Sequence, residues 1–297
     1  PAYAHPLNPF WGYRPWEVGV DNKLQYLHNP GERFPFREGY LAAMLPRWLN
    51  VVVGAITVGL TYGLGRRVAP QHPGIALAAA AMVAFNPQFI YLSGAINNDI
   101  IATATAVAVL LLGVSIVQDG VKRPQVLVAL GVAYGLALLA KLHVAVMGGV
   151  IMLSLWLATG REIPHRTVLY PHVRNDKKRG AWRARVWRWA LWMGVVLGIA
   201  CLIAGWWFAR NWVLYGDPTG MKKLNEMWAG RSAKGSWWAV EQGLPYLWSS
   251  LWGRFGYGQI PLPQPIYIAV FAFCCIGLIG AAVVGLLPYK AGRKRDA

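Results

Sequence analysis

Four groups of side chains have the types and spacing to do chemistry. Asn97, Asn98 and Asp99 stand consecutively between two apolar runs. Asp99 would head the second run with the two amides near its N-cap, where a carboxylate complements a helix dipole. It reads equally as a cap and as a reactive acid. Lys141, with His143, lies near the centre of a long apolar run. A cation recessed there suits an anion such as a lipid phosphate, or it snorkels to the surface. Arg210 opens the run R-N-W-V-L-Y-G-D-P, with Asn211, Tyr215 and Asp217 close behind. Its guanidinium either binds phosphate as a planar fork or anchors the chain at an interface. The fourth group is aromatic: Trp228, Trp237, Trp238, Tyr246, Trp248, Trp252, Phe255 and Tyr257. From Ser236 to Trp252 the bulky residues recur every three or four positions, the pattern of an interfacial helix, which favours lipid contact over sugar stacking.

The elements that must carry these groups follow from composition. Of 297 residues, 56% are hydrophobic and 14% charged, against about 25% charged in soluble domains. Mean hydropathy is +0.36. A chain with so little polar surface belongs in a bilayer, and its 16 tryptophans and 13 tyrosines suit lipid headgroups. A net charge of +17 then reads as topology rather than nucleic-acid binding. Cys201, Cys274 and Cys275 lie inside apolar runs, and His165 and His172 have no metal-ligand spacing, so no metal site is expected. There is no P-loop, GxGxxG after a strand, HExxH or GxSxG.

In chain order, 1–47 is an irregular outer loop containing Glu17 and Asp21, with a juxtamembrane helix over Glu38–Leu45 stopped by Pro46. Spans follow at Trp48–Leu64, Gly74–Leu92 and Ile100–Val117. Val126–Ala158 would be about 50 Å long as one helix, too long for a bilayer, so it divides into two short helices joined near Lys141. Gly160–Arg188 is a basic loop with nine Lys/Arg and two acids. Trp189–Ala209 is the sixth span. Residues 210–265 form an outer aromatic loop with an interfacial helix, and Ile266–Leu287 is the seventh span, before a basic tail. The expected fold is therefore an all-α polytopic membrane protein of about seven transmembrane helices. Its parts are the outer loop 1–47, a six-helix core over 48–209 including the basic loop 160–188, the aromatic loop 210–265, and 266–297.

Charge placement tests this division. With Pro1 outside, the shorter, inside segments hold 17 of the 29 Lys and Arg, as the positive-inside rule requires. Were Val126–Ala158 a single span, the nine-charge loop would fall outside. The hairpin puts Lys141 on the same outer face as Asn97–Asp99, with the N-terminus and 210–265 outside and the C-terminus cytoplasmic.

The runs F-N-P-Q-F-I-Y-L-S-G-A-I-N-N-D (85–99), L-L-A-K-L-H (138–143) and W-W-F-A-R-N-W-V-L-Y-G-D-P-T-G (206–220) resemble the polyprenyl-phosphate-dependent membrane glycosyltransferases of the GT-C superfamily. The closest resemblance is to the protein mannosyltransferase/aminoarabinose transferase-like family, with the order of elements agreeing from about Leu24 onward. The resemblance implies transfer of a sugar from a polyprenyl-phosphate donor to a lipid or protein acceptor on the non-cytoplasmic face, with no other cofactor. It implies a carboxylate as general base and basic residues on the departing phosphate. Lys141 matches the family's lysine at the outer turn, with His143 beside it and Arg210 as the next cation. Asp99 matches the acid at the start of the corresponding helix, and Asn97, Asn98, Asn211, Tyr215 and Asp217 would line the cavity. The sequence departs from the family in opening within its first outer loop and ending before its later spans, so the usual catalytic carboxylate is expected to lie outside it. Asp21 remains in that loop without the familiar motif. The expected partners are membrane lipid and lipid-linked sugar, not nucleic acid. Two other readings are a non-catalytic membrane subunit that keeps the fold to bind lipid or a partner subunit, and a transporter, which the lack of repeated halves disfavours.

Overall fold

The structure is a computed structural model that describes residues 33–161, 174–228 and 236–286, apart from 257 and 259. It is helical almost throughout. The order is α1 (Glu38–Val68), α2 (Pro73–Ala84), α3 (Pro87–Ser93), α4 (Asp99–Asp119), α5 (Gln125–Ala140), a 3-10 turn (Leu142–Val146), α6 (Met147–Arg161), α7 (Arg174–Tyr215), α8 (Met221–Trp228), α9 (Ser236–Trp252), β1 (Arg254–Phe255), β2 (Ile260–Pro261) and α10 (Gln264–Leu286). The two strands pair antiparallel, Arg254 opposite Pro261.

All seven expected apolar segments are helical. By length and hydropathy, four of the described segments can each cross a membrane: α1, α4, Leu142–Gly160 and the Ala181–Tyr215 part of α7. The bent pair α2–α3 makes a fifth if taken as one span, while α5 and Gln264–Gly280 are apolar but shorter. The large side chains of these helices are turned outward in number. Leu202 is 83% exposed and Leu278 71%. Such a surface is stable against lipid and not against water, and the protein is an integral membrane protein.

Three sequence expectations are corrected. Pro46 does not stop a helix; α1 runs through it. The ring removes one hydrogen bond to the carbonyl of Ala42, and Ala42 is exposed, so that loss is not inside the core. Gly74–Leu92 is not one straight helix, since α2 and α3 meet at 61°. The break is written at Asn86-Pro87. A residue before proline is driven to extended backbone, and Asn86 (φ −69°, ψ 118°) takes that form and caps α3 by accepting from Phe89 N–H at 3.1 Å. The basic stretch Gly160–Arg188 is not all loop, because α7 begins at Arg174. Long unbranched Lys and Arg side chains favour helix. Arg185 stacks 4.2 Å over Trp156 and donates to the Trp156 carbonyl at 3.0 Å, near the C-terminus of α6, where a cation complements the helix dipole. Residues 162–173 lie outside the described residues.

Contacts give the helix directions. Asn50, within α1, bonds the Asn97 carbonyl beside the start of α4, and Arg67 near the end of α1 meets Asp119 at the end of α4, so α1 and α4 run parallel. Gly113 of α4 packs on Ser154 of α6, and Ala102 packs with Val144, so α6 also runs down from the Asn97 end. α5 returns toward that end, with its C-terminus beside Asn98. The two-helix reading of Val126–Ala158 therefore holds. α7 runs parallel to α5 at close range: a Cβ on Gly131 would stand 2.8 Å from Ile199 Cβ and 2.9 Å from the Val196 carbonyl, and one on Gly135 2.9 Å from Ile203 Cβ. Glycines four residues apart let two helix backbones approach in a membrane, where packing rather than hydrophobicity drives association. The core lies among α4–α7, around Val109, Ile116, Leu130, Ile151, Leu155 and Val196.

Candidate functional site

Asn97, Asn98 and Asp99 form the corner between α3 and α4, and each has a definite partner. Asn97 Nδ2 donates to the Leu92 carbonyl at 2.9 Å, and its Oδ1 accepts from Asp99 N–H at 2.8 Å. Asn98 Nδ2 donates to the Ala140 carbonyl at 2.6 Å, satisfying one of the orphan carbonyls that end α5. Asp99 stands in the first turn of α4 and pairs through Oδ1 with Lys141 Nζ. Lys141 is the residue on which α5 stops, with extended backbone (φ −155°, ψ 135°). About a third of each side chain is exposed, 31% for Lys141 and 38% for Asp99, so the pair is open to one side. His143 is exposed on the adjoining 3-10 turn.

A residue not singled out in the sequence anchors this corner. Asn50 of α1 is 3% exposed, and its Nδ2 donates to the carbonyls of Ala95 and Asn97 at 2.7 and 2.9 Å. An amide inside an apolar span is the one signal that could have found it.

Arg210 is helical, contrary to its expected place in a loop, because the sequence of α7 holds no proline to stop it. Gly216 takes φ 64° and lets the chain leave the helix. Asn211, 5% exposed, donates from Nδ2 to the Pro218 carbonyl at 3.3 Å and folds the following turn back onto α7. The result is a cleft of about 430 Å³ lined by Trp207, Arg210, Asn211, Tyr215, Thr219, Gly220 and Lys223. Arg210 lies 5.5 Å from the Trp207 ring centre, and Lys223 brings a second cation. Asp217 turns elsewhere: its carboxylate accepts from Lys222 N–H at 2.9 Å, and from Thr219 N–H at 3.0 Å and O–H at 2.8 Å, which caps α8. Those bonds, the Lys222 one foremost, hold its pKa below the ordinary aspartate value.

The cleft lining includes neither Lys141 nor Asp99, yet both sites stand at the same end of the bundle. α5 and α7 run parallel and touch at Gly135 and Ile203. Lys141 lies six residues past the first and Arg210 seven past the second, so the two are at one level. Asp21 lies outside the described residues, as do the side chains of Trp228 and Trp238.

The aromatic stretch forms α9 as expected, and it meets α3. Asn86 Nδ2 donates to the Leu251 carbonyl at 3.0 Å, Gln88 Oε1 accepts from Arg254 N–H at 2.8 Å, and Tyr91 packs edge-on against Phe255 at 5.3 Å. Arg254 itself donates to Ser249 Oγ at 2.6 Å and the Gly258 carbonyl at 2.7 Å, and stacks 4.3 Å over Tyr246. It closes one side of a cleft of about 540 Å³ that includes Trp248 and Tyr267. Among the described residues no group of three or more His, Cys, Asp or Glu is placed to hold a metal.

No curated protein and no solved structure matches this chain. Residues 42–172 match the family model described as dolichyl-phosphate-mannose-protein mannosyltransferase, a stretch that carries both the Asn97–Asp99 corner and Lys141. Over that stretch, somewhat less than half of its length, the chain is similar to a family of membrane glycosyltransferases.

Proposed function

We propose that this protein is the core of a glycosyltransferase that takes a sugar from a polyprenyl-phosphate donor and passes it to a lipid or protein acceptor on the non-cytoplasmic face of the membrane. The observation that carries this reading is the level placement of Lys141 and Arg210 at one end of parallel helices, beside the Asn97–Asp99 corner. Breaking the sugar–phosphate bond leaves negative charge on the lipid phosphate. Cations fixed beforehand stabilise that charge without reorganising when it forms. Arg210 supplies a fork, Lys223, 3.4 Å from Glu226, stands in the same cleft, and Lys141 adds its charge when its pair with Asp99 opens. The paired Asp99 serves to hold Lys141; to act as a base on an acceptor hydroxyl it must first be released. The donor lipid is a substrate, and the reading needs no other cofactor.

Charge distribution supports the orientation. Arg66, Arg67, Lys122 and Arg123 gather at the end opposite Asn97, the end the positive-inside rule assigns to the cytoplasm. The N-terminus and residues 210–265 are then outside and the C-terminus inside.

A second reading, a non-catalytic membrane subunit that binds lipid or a partner, draws on a specific observation. Asn97, Asn98 and Asp99 are all committed to bonds that hold the corner together. The deciding experiment uses the purified chain with lipid-linked sugars and with polyprenyl phosphate alone. On the enzyme reading sugar is transferred, and K141A/R210A lowers both transfer and lipid-phosphate binding at least tenfold. Unchanged lipid-phosphate binding in the double variant sinks the assignment of these two residues. Binding without transfer selects the subunit.

A further inference from the structure

The end of the bundle opposite Lys141 carries a cleft of about 520 Å³ between α1, α4 and the start of α5. Its polar side is built from Arg67, Asp119, Lys122 and Arg123, and its apolar floor includes Leu112 and Val126. Arg67 and Asp119 cancel, with Nη1 and Oδ2 at 2.5 Å. Gln118 Nε2 donates to the Arg67 carbonyl at 2.8 Å, so α1 and α4 are tied together at this point. Lys122 and Arg123 are left over. No other carboxylate lines the cleft, and neither residue has an ion pair among the described residues. Gly120, at φ 73°, ends α4 and brings both side chains round to the cleft.

Two uncompensated cations above an apolar floor, where helices leave their apolar runs, match a lipid headgroup. The phosphate would meet the cations, the glycerol oxygens the Ser115 hydroxyl, and the first methylenes Leu112 and Val126. We propose that this cleft binds the phosphate of an anionic glycerophospholipid from the leaflet at that end. The site is independent of the sugar-transfer reading, because it lies at the far end of the helices from Lys141 and Arg210.

The test is native mass spectrometry of the purified full chain with phosphatidylglycerol and phosphatidylcholine, with glycerol phosphate as competitor. Wild type is expected to retain phosphatidylglycerol over phosphatidylcholine by roughly tenfold or more. K122Q/R123Q should lose that preference, each single variant should lose part of it, and K122R/R123K should keep it. R66Q, which neutralises a neighbouring cation outside the lining, should also keep it. Preference unchanged in the single and double glutamine variants overturns the site, as does equal loss in R66Q, which marks diffuse surface charge. Full displacement of the lipid by glycerol phosphate assigns the cleft to a free anion and overturns the lipid assignment.

Discussion

Gln88 holds Arg254 across 166 residues of chain: its side-chain oxygen accepts the arginine's backbone N–H at 2.8 Å. α3 thereby docks the corner where α9 gives way to β1, and Asn86 and Tyr91 make the flanking contacts. Replacing Gln88 by Ala leaves that N–H without its acceptor at a cost of about 1–3 kcal/mol. The expected outcome is a lower melting temperature in detergent and faster proteolysis within 236–261. Unchanged proteolysis would show that the docking does not depend on this bond.

Asp99 and Lys141 are coupled. D99A and K141A should each destabilise the protein by leaving the other charge alone, and the double variant by less than their sum. Because both side chains are about a third exposed, solvent screening limits the coupling to about 1 kcal/mol. Chemical denaturation of the four proteins measures it, and strict additivity would mean the pair is not formed.

Asn50 is the more costly site. N50A removes the donor from two partly buried carbonyls and should cost about 2–4 kcal/mol. N50D should be no better, since an ionised carboxylate donates nothing. A neutral effect of N50A on thermal unfolding would remove the anchor assigned to it.

The contact of α5 with α7 tolerates no side chain at Gly131. G131V must displace the Ile199 side chain or the Val196 carbonyl, and overpacking of this kind costs about 1–3 kcal/mol. G149V, where a Cβ has open space, is the control. Equal melting points for the two variants would contradict the packing.

Asp217 makes the start of α8 sensitive to acid. Its pKa is lowered in the folded protein by the Lys222 and Thr219 bonds. A depressed carboxylate contributes stability above its unfolded pKa, and that contribution is lost as pH falls through the lower folded value. Amide exchange at Thr219 and Lys222 should therefore quicken as pH drops below the ordinary aspartate range, after correction for intrinsic rates, and D217N should remove the dependence.

Much of this architecture was legible in the sequence because hydropathy and charge are local properties. They located seven apolar segments, and they divided Val126–Ala158 so that Lys141 fell at the same end as Asp99. Asn50 and Gln88 were not legible. Each acts on backbone atoms 45 or more residues away, and no periodicity in the chain records such a partner. The missed start of α7 has a different cause. A basic stretch reads as loop by polarity, although its side chains are good helix formers and Trp156 and Trp182 give it a surface to pack on.

The ion pair between Asp99 and Lys141 also bears on how the chain assembles. Its partners are 42 residues apart, and only α4 and α5 lie between them. Both charges can therefore neutralise each other as soon as that hairpin has been threaded into the bilayer, before α6 or α7 has been synthesised. The Gln88 bond cannot close until α9 has emerged from the ribosome. One end of the 86–99 stretch can thus be fastened early in biogenesis and the other only late, so a chain interrupted between these events would hold the Lys141 corner without the α9 contact.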